Sequence, residues 1–163
     1  MTGVTGRMRG WIEEQSEVRT AVSMAIDAPM DRVWAEVIDF AAHTEWMEDA
    51  HAIRFGTDQR EGPGTVLLID TRIGPLRTAD RFEITEIEPM ILVAGRHTGL
   101  FRGEGRFELS SPRPGRTRLV WRERIRFPWL FGGPAAALVG RVVLRRVWTK
   151  NLAALKQRIE TGF

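Results

Sequence analysis

Two carboxylates, Asp80 and Glu123, offer the clearest chemistry in this sequence. Each falls in a stretch that alternates apolar and polar residues, on the side that is otherwise apolar. A carboxylate turned toward an apolar interior is costly unless it is paired, hydrated or protonated. Burial also raises its pKa. Such a group can hydrogen-bond a polar part of a ligand, or take and return its proton. It can equally meet an internal arginine or backbone donor, or lie in water at a cavity mouth. Both readings stay open at this level. His97, after Arg96 near a strand end, is a third candidate, and either residue of that pair can face inward. An imidazole there suits general base work, but no Ser/His/Asp spacing surrounds it.

The chain excludes other chemistries. It has no cysteine, so disulfides, thiolate catalysis, Fe–S clusters and Cys-based zinc sites are ruled out. It has no tyrosine, so no phenol can serve as acid, base or donor. His43, His51 and His97 lie far apart, without HxH or HxxxH spacing. No metal or cofactor is expected.

Around the carboxylates the same pattern collects apolar bulk and missing bulk. Trp46, Phe82, Phe107 and Trp121 are candidate ligand-contacting walls, or simply core. Gly103 and Gly105 face inward too. They either leave volume for a ligand or mark a local twist or bulge. Phe127, Trp129, Leu130 and Phe131, followed by Gly132-Gly133, form a candidate portal or lid. Packing against the N-terminal tail or a second copy is the alternative.

These residues need elements to hold them. Val18, Thr20, Val22, Met24 and Ile26 alternate with polar or small neighbours, as in a half-buried strand. Val33, Trp34, Val37 and Ile38 have helical spacing, with Asp27 or Asp31 as candidate cap. A short helical turn is expected around Thr44-Glu45-Trp46. From about Ala50 to Phe127 the chain reads as successive strands.

Gly74-Pro75 fits a two-residue type II′ hairpin loop. That register sets Thr71 opposite Thr78, Ile69 opposite Asp80 and Leu67 opposite Phe82. One face is then apolar except for Asp80, and the other is charged. A second hairpin is expected through residues 110–115, with Phe107 opposite Leu119, Gly105 opposite Trp121 and Gly103 opposite Glu123. A helix follows Gly132-Gly133, with Pro134 in its first turn and Gly162 as a stop. Leu138, Val142, Leu152, Leu155 and Ile159 mark its expected inner face.

Length and charge bound the rest. The chain has 163 residues, 43% hydrophobic and 28% charged. A chain of this size buries roughly 70% of its unfolded surface without needing a staple. Residues 1–16 read as a tail and 17–162 as a single domain, with no repeat or linker. No secretory signal is apparent, and the 127–140 apolar stretch is too short to span a bilayer. A cytoplasmic location is expected. The net charge is only +3, but it is unevenly spread: residues 102–163 hold 14 of the 24 bases and 4 of the 21 acids. Arg116, Arg118, Arg122, Arg124 and Arg126 share one strand face, suited to anionic headgroups, to an acidic partner, or simply to solvent. No aromatics interleave with them, so nucleic acid is not an expected partner.

The order is a strand, two short helices, about six antiparallel strands and a long C-terminal helix. With it, several segments resemble the START-like, SRPBCC or polyketide cyclase/dehydrase superfamily. They are residues 26–34 (IDAPMDRVW), 39–46 (DFAAHTEW), 86–89 (EIEP), 117–121 (TRLVW) and 152–156 (LAALK). The resemblance spans about residues 17–160. It implies an α+β helix-grip fold, a curved antiparallel sheet of about seven strands wrapped around the C-terminal helix, with a cavity between. Members bind or transfer hydrophobic ligands, cyclise or aromatise polyketides, or serve in larger systems, so the fold alone does not settle function. The aromatase-type cyclases use pocket tyrosines, which this chain lacks. Their pocket arginine maps onto none of Arg72, Arg77 and Arg81 in particular, and no catalytic residue is carried over.

Three functions follow as expectations. The first is a binder of a small hydrophobic molecule, lipid, polyketide or isoprenoid-like. The second is a cyclase/dehydrase-type enzyme using an inward carboxylate. The third is an interaction module working through the basic face or the apolar 127–131 segment, with peripheral membrane contact or a homodimer.

Overall fold

The computed structural model describes residues 17–126 and 133–162. The tail at 1–16 and the candidate portal Phe127, Trp129, Leu130 and Phe131 lie outside the described residues. The elements run β1 (Glu17–Ile26), α1 (Met30–Ile38), a 3₁₀ turn (Phe40–Glu45), β2 (Ala50–Phe55), β3 (Val66–Ile73), β4 (Leu76–Glu88), β5 (Leu92–Thr98), β6 (Arg102–Arg113), β7 (Arg116–Arg126) and α2 (Gly133–Thr161). All seven strands join one antiparallel sheet, in the order β1-β7-β6-β5-β4-β3-β2. The long helix closes over its inner face, giving the α+β helix-grip architecture.

The strand alternation sorts the faces as expected. On β1, Val18, Thr20, Val22 and Ile26 are buried, and Arg19, Ala21 and Ser23 are exposed. Leu119, Trp121, Glu123 and Ile125 do the same on β7. From α1, Val33 and Val37 are fully covered, while Ile38 is left partly open.

The β3–β4 hairpin turns at Gly74-Pro75, with Gly74 at φ 58° as a type II′ turn requires. Its register pairs Thr71 with Thr78, Ile69 with Asp80 and Leu67 with Phe82, as the sequence predicts.

Several expectations need correction. The β6–β7 pairing sits two residues from the expected register. Phe107 faces Trp121, Gly105 faces Glu123 and Gly103 faces Ile125. The chain turns tightly at Pro114-Gly115, between paired Arg113 and Arg116, with Gly115 at φ 72° and an irregularity after Ser110. A two-residue slip keeps every side chain on its own face. The inward set is therefore unchanged, and only the cross-strand neighbours differ.

Helix α1 starts after Pro29 without a side-chain cap; Asp31 accepts from the adjacent Arg32 N–H instead. Asp39 caps the 3₁₀ turn by accepting from Ala42 N–H at 3.2 Å. That turn begins at Phe40, earlier than expected.

The buried stripe of α2 runs through Ala137, Leu144, Trp148, Leu152, Leu155 and Ile159. Leu138 and Val142, expected inside, are 69% and 51% exposed. The first half of α2 is apolar on more than one side, so its own periodicity does not select the inner stripe; docking against the sheet does.

Candidate functional site

Four neighbouring strands converge on one polar cluster inside the apolar interior. Asp80 comes from β4, His97 from β5 and Glu123 from β7. His97 Nδ1 bonds Asp80 Oδ2 closely, and His97 Nε2 lies 3.3 Å from Glu123 Oε2. Asp80 and Glu123 are 8% and 9% exposed. The register settles which of Arg96 and His97 faces in. His97 does, while Arg96 lies outside and pairs with Glu83 at 3.1 Å.

Strand β6 lies between His97 and Glu123, and its glycines make the contact achievable. His97 is paired with Gly103, and Gly105 with Glu123. A Cβ on Gly105 would sit 2.5 Å from Glu123 Oε1. Gly105 therefore makes room for the carboxylate itself. Gly103 opposes Ile125, and a Cβ there would run into the Arg124 carbonyl. Close backbone approach explains that glycine, so it is not a source of ligand volume.

The charge state of His97 follows from its partners. Burial alone would pull its pKa down. The hydrogen bonds and charges of Asp80 and Glu123 override burial and raise it to about 10. The ring is thus an imidazolium that donates from both nitrogens. With both engaged, it does not act as a free general base. Glu123 Oε1 also accepts from Trp121 Nε1 at 2.9 Å, so both its oxygens are satisfied. Asp80 Oδ1 is buried and accepts no hydrogen bond among the described residues.

Beside the cluster lies a cavity of about 170 Å³ between sheet and helix. Asp80, Phe82, His97, Gly105, Phe107, Trp121 and Glu123 all line it. Trp46 and Gly103 are not part of the lining. Trp46 follows the 3₁₀ turn, its N–H on His43 O at 3.2 Å. Its ring packs behind the wall, with centroids 4.8 Å from His43 and 6.3 Å from Phe107.

Among the wall residues that sequence reasoning missed are His43, Asp49, Phe101 and Trp148. Trp148 stacks on Trp121 at 5.1 Å, and its spacing of four from Leu144 and Leu152 was the available signal. His43 is 5% exposed and donates from Nε2 to Val37 O at 2.9 Å. Burial lowers its pKa to about 4, so the ring is neutral. Asp49 accepts from the fully buried Asn151 Nδ2 at 2.6 Å, and Asn151 Oδ1 takes the Glu48 N–H. This contact ties α2 to the start of β2. Burial pushes the Asp49 carboxyl up, opposed by the Asn151 hydrogen bond. Neither residue has a local sequence signal for facing inward.

Among the described residues no three or more ligating side chains are disposed to hold a metal ion, and no helix is long and apolar enough to cross a membrane. The basic face of β7 is largely paired. Arg122 meets Glu108 at 2.9 Å, Arg124 and Arg126 meet Glu17 at 2.9 and 3.2 Å, and Arg116 lies 3.4 Å from Asp27.

A seven-stranded antiparallel sheet closed over a long C-terminal helix, with a cavity between them, defines a START-like helix-grip protein. Residues 17–160 match the polyketide cyclase/dehydrase and lipid transport family, and the chain belongs to it. Solved structures agree on the fold. The Zhui aromatase/cyclase from Streptomyces sp. R1128 is 17% identical, with TM-score 0.74, covering 88% of this chain and 94% of that one. A START superfamily protein from Mycobacterium smegmatis is 15% identical, with TM-score 0.75, covering 89% and 99%. No curated protein matches the sequence.

Proposed function

We propose that this protein binds a compact hydrophobic molecule, lipid, polyketide or isoprenoid-like, between the sheet and α2. The observation that carries this reading is an apolar cavity with one buried polar cluster on its wall, and in that cluster an acceptor, Asp80 Oδ1, without a partner. An unsatisfied buried acceptor costs roughly 1–3 kcal/mol, which a bound donor would recover. The volume argues for a small ligand: an engineered apolar cavity of about 150 Å³ takes up benzene. Phe82, Phe107, Trp121 and Trp148 would bury the ligand body, and Asp80 and Glu123 would orient its polar group. The family's association with lipid transport supports a carried ligand.

Native mass spectrometry of freshly purified protein, followed by solvent extraction, tests this. A reproducible added mass that extraction removes is the expected result. A clean apo mass, together with no binding across a hydrophobic-ligand panel, overturns the reading.

One observation favours turnover as a second reading. A buried carboxylate with a free oxygen, held against an imidazolium, is an acid–base pair in the making. In a cyclase/dehydrase-type reaction Asp80 would move the proton. Asp80→Asn should then abolish turnover and leave ligand binding within a few-fold. Equal loss of both assigns Asp80 to binding alone.

A further inference from the structure

Resting on the pocket reading above, we infer that the cavity selects ligands headed by a hydrogen-bond donor, a hydroxyl or an ammonium, and rejects those headed by a carboxylate. The polar inventory of the wall leads there. Three carboxylates line the cavity, Asp49, Asp80 and Glu123. Among the described residues, the one cationic group turned inward is the His97 imidazolium, and both its N–H groups are already committed to Asp80 and Glu123. The Trp121 indole N–H is committed to Glu123.

His43 adds no charge, and its Nε2–H is committed to Val37. Arg106 also borders the cavity, but its side chain is exposed between inward Gly105 and Phe107 and pairs with Glu108 at 2.9 Å. The Thr71 and Thr78 hydroxyls, a cross-strand pair near the β3–β4 turn, both donate and accept. They supply no charge to balance an anion.

The wall therefore has acceptors to spare and no free cation among the described residues. A carboxylate head would be desolvated beside like charge, which strongly disfavours binding. A hydroxyl or ammonium would find Asp80 Oδ1 waiting, buried and unpaired. Charge-assisted hydrogen bonds of that kind are about twice as strong as neutral ones.

Four probes with one aromatic ring separate the possibilities: toluene, benzyl alcohol, benzylamine and benzoate. Binding to the whole protein can be followed by tryptophan fluorescence, since Trp121 and Trp148 line the cavity. Benzyl alcohol and benzylamine are expected to bind at least tenfold more tightly than benzoate. Asp80→Asn and Glu123→Gln, each nearly isosteric, should narrow that gap to a few-fold while toluene affinity holds. Benzoate binding as tightly as the alcohol overturns the inference and leaves the pocket standing. Failure of toluene and of every headed probe removes the pocket reading, and the inference with it.

Discussion

Two histidines line the same cavity, and they are opposites. His43 is buried among Phe40, Trp46 and Phe107, with a backbone carbonyl as its partner. Its pKa falls to about 4 and it stays neutral. His97 is also largely buried, with Phe82 edge-on at 4.8 Å. Two carboxylates flank it, and its pKa rises to about 10. Desolvation acts on both in the same direction, so the difference lies in the partners. Burial by itself does not decide charge. One end of the site is an aromatic wall, and the other is a polar cluster of fixed charge.

The largest test of that contrast is to remove each ring. His97→Phe leaves two buried carboxylates without their shared cation. A loss of about 3–5 kcal/mol is expected from breaking a buried charge network. His43→Phe gives up one hydrogen bond to Val37 O, with an expected loss of about 1–3 kcal/mol. Urea unfolding at neutral pH measures both, and an equal cost at the two positions breaks the comparison.

The pH dependence should split the same way. In the unfolded chain both rings titrate near 6.5. His43 binds its proton later in the fold, so its contribution is complete above about 6.5 and is lost as pH falls toward 4. His97 holds its proton longer in the fold, so its contribution is complete below about 6.5 and is lost as pH rises toward 10. Shifts of this size correspond to about 3 and about 5 kcal/mol. Denaturant midpoints across that range should peak near pH 6.5. The alkaline limb should flatten in His97→Phe, and the acid limb should weaken in His43→Phe.

A smaller effect tests how the cluster is spaced. Gly105→Ala pushes a methyl against Glu123 Oε1 and displaces the carboxylate from His97. Overpacking of this kind costs about 1–3 kcal/mol. The His97 ring, followed by NMR titration, should lose its proton at lower pH than in the unaltered protein. The smallest effect belongs to the outer face of the same strand. The Arg96 side chain is 56% exposed and that of Glu83 27%, so Arg96→Ala should cost under about 1 kcal/mol. A larger loss there would mean that the outer ion pairs matter to the cluster beneath them.

Much of this molecule was legible along the chain. The face of each strand residue follows from a period of two, a local property of the pleat. Asp80, Glu123, Phe107 and Trp121 were therefore assignable to the interior from sequence, and a two-residue error in the β6–β7 register did not disturb them. The Gly74-Pro75 loop named its own register, because turn geometry sets strand pairing directly. What could not be read was adjacency. Asp80 and Glu123 meet His97 across 17 and 26 residues of sequence, over three strand pairings. An imidazole that looks isolated in sequence becomes a charged bridge only when those registers combine.

The helix divides in the same way. Leu152, Leu155 and Ile159 form an unambiguous stripe, and they are buried. Leu138 and Val142 belong to a half that is apolar on more than one side. Amphipathic periodicity there permits several inner faces, and the curvature of the sheet selects one of them. By itself the sequence determined which residues face inward and in what order the strands and helices come, because both depend on short-range periodicity and turn chemistry. Only the tertiary structure decided which inward residues touch, which histidine carries charge and which helix stripe is covered. Those outcomes depend on long-range pairing, and on the desolvation and partnering that come with it.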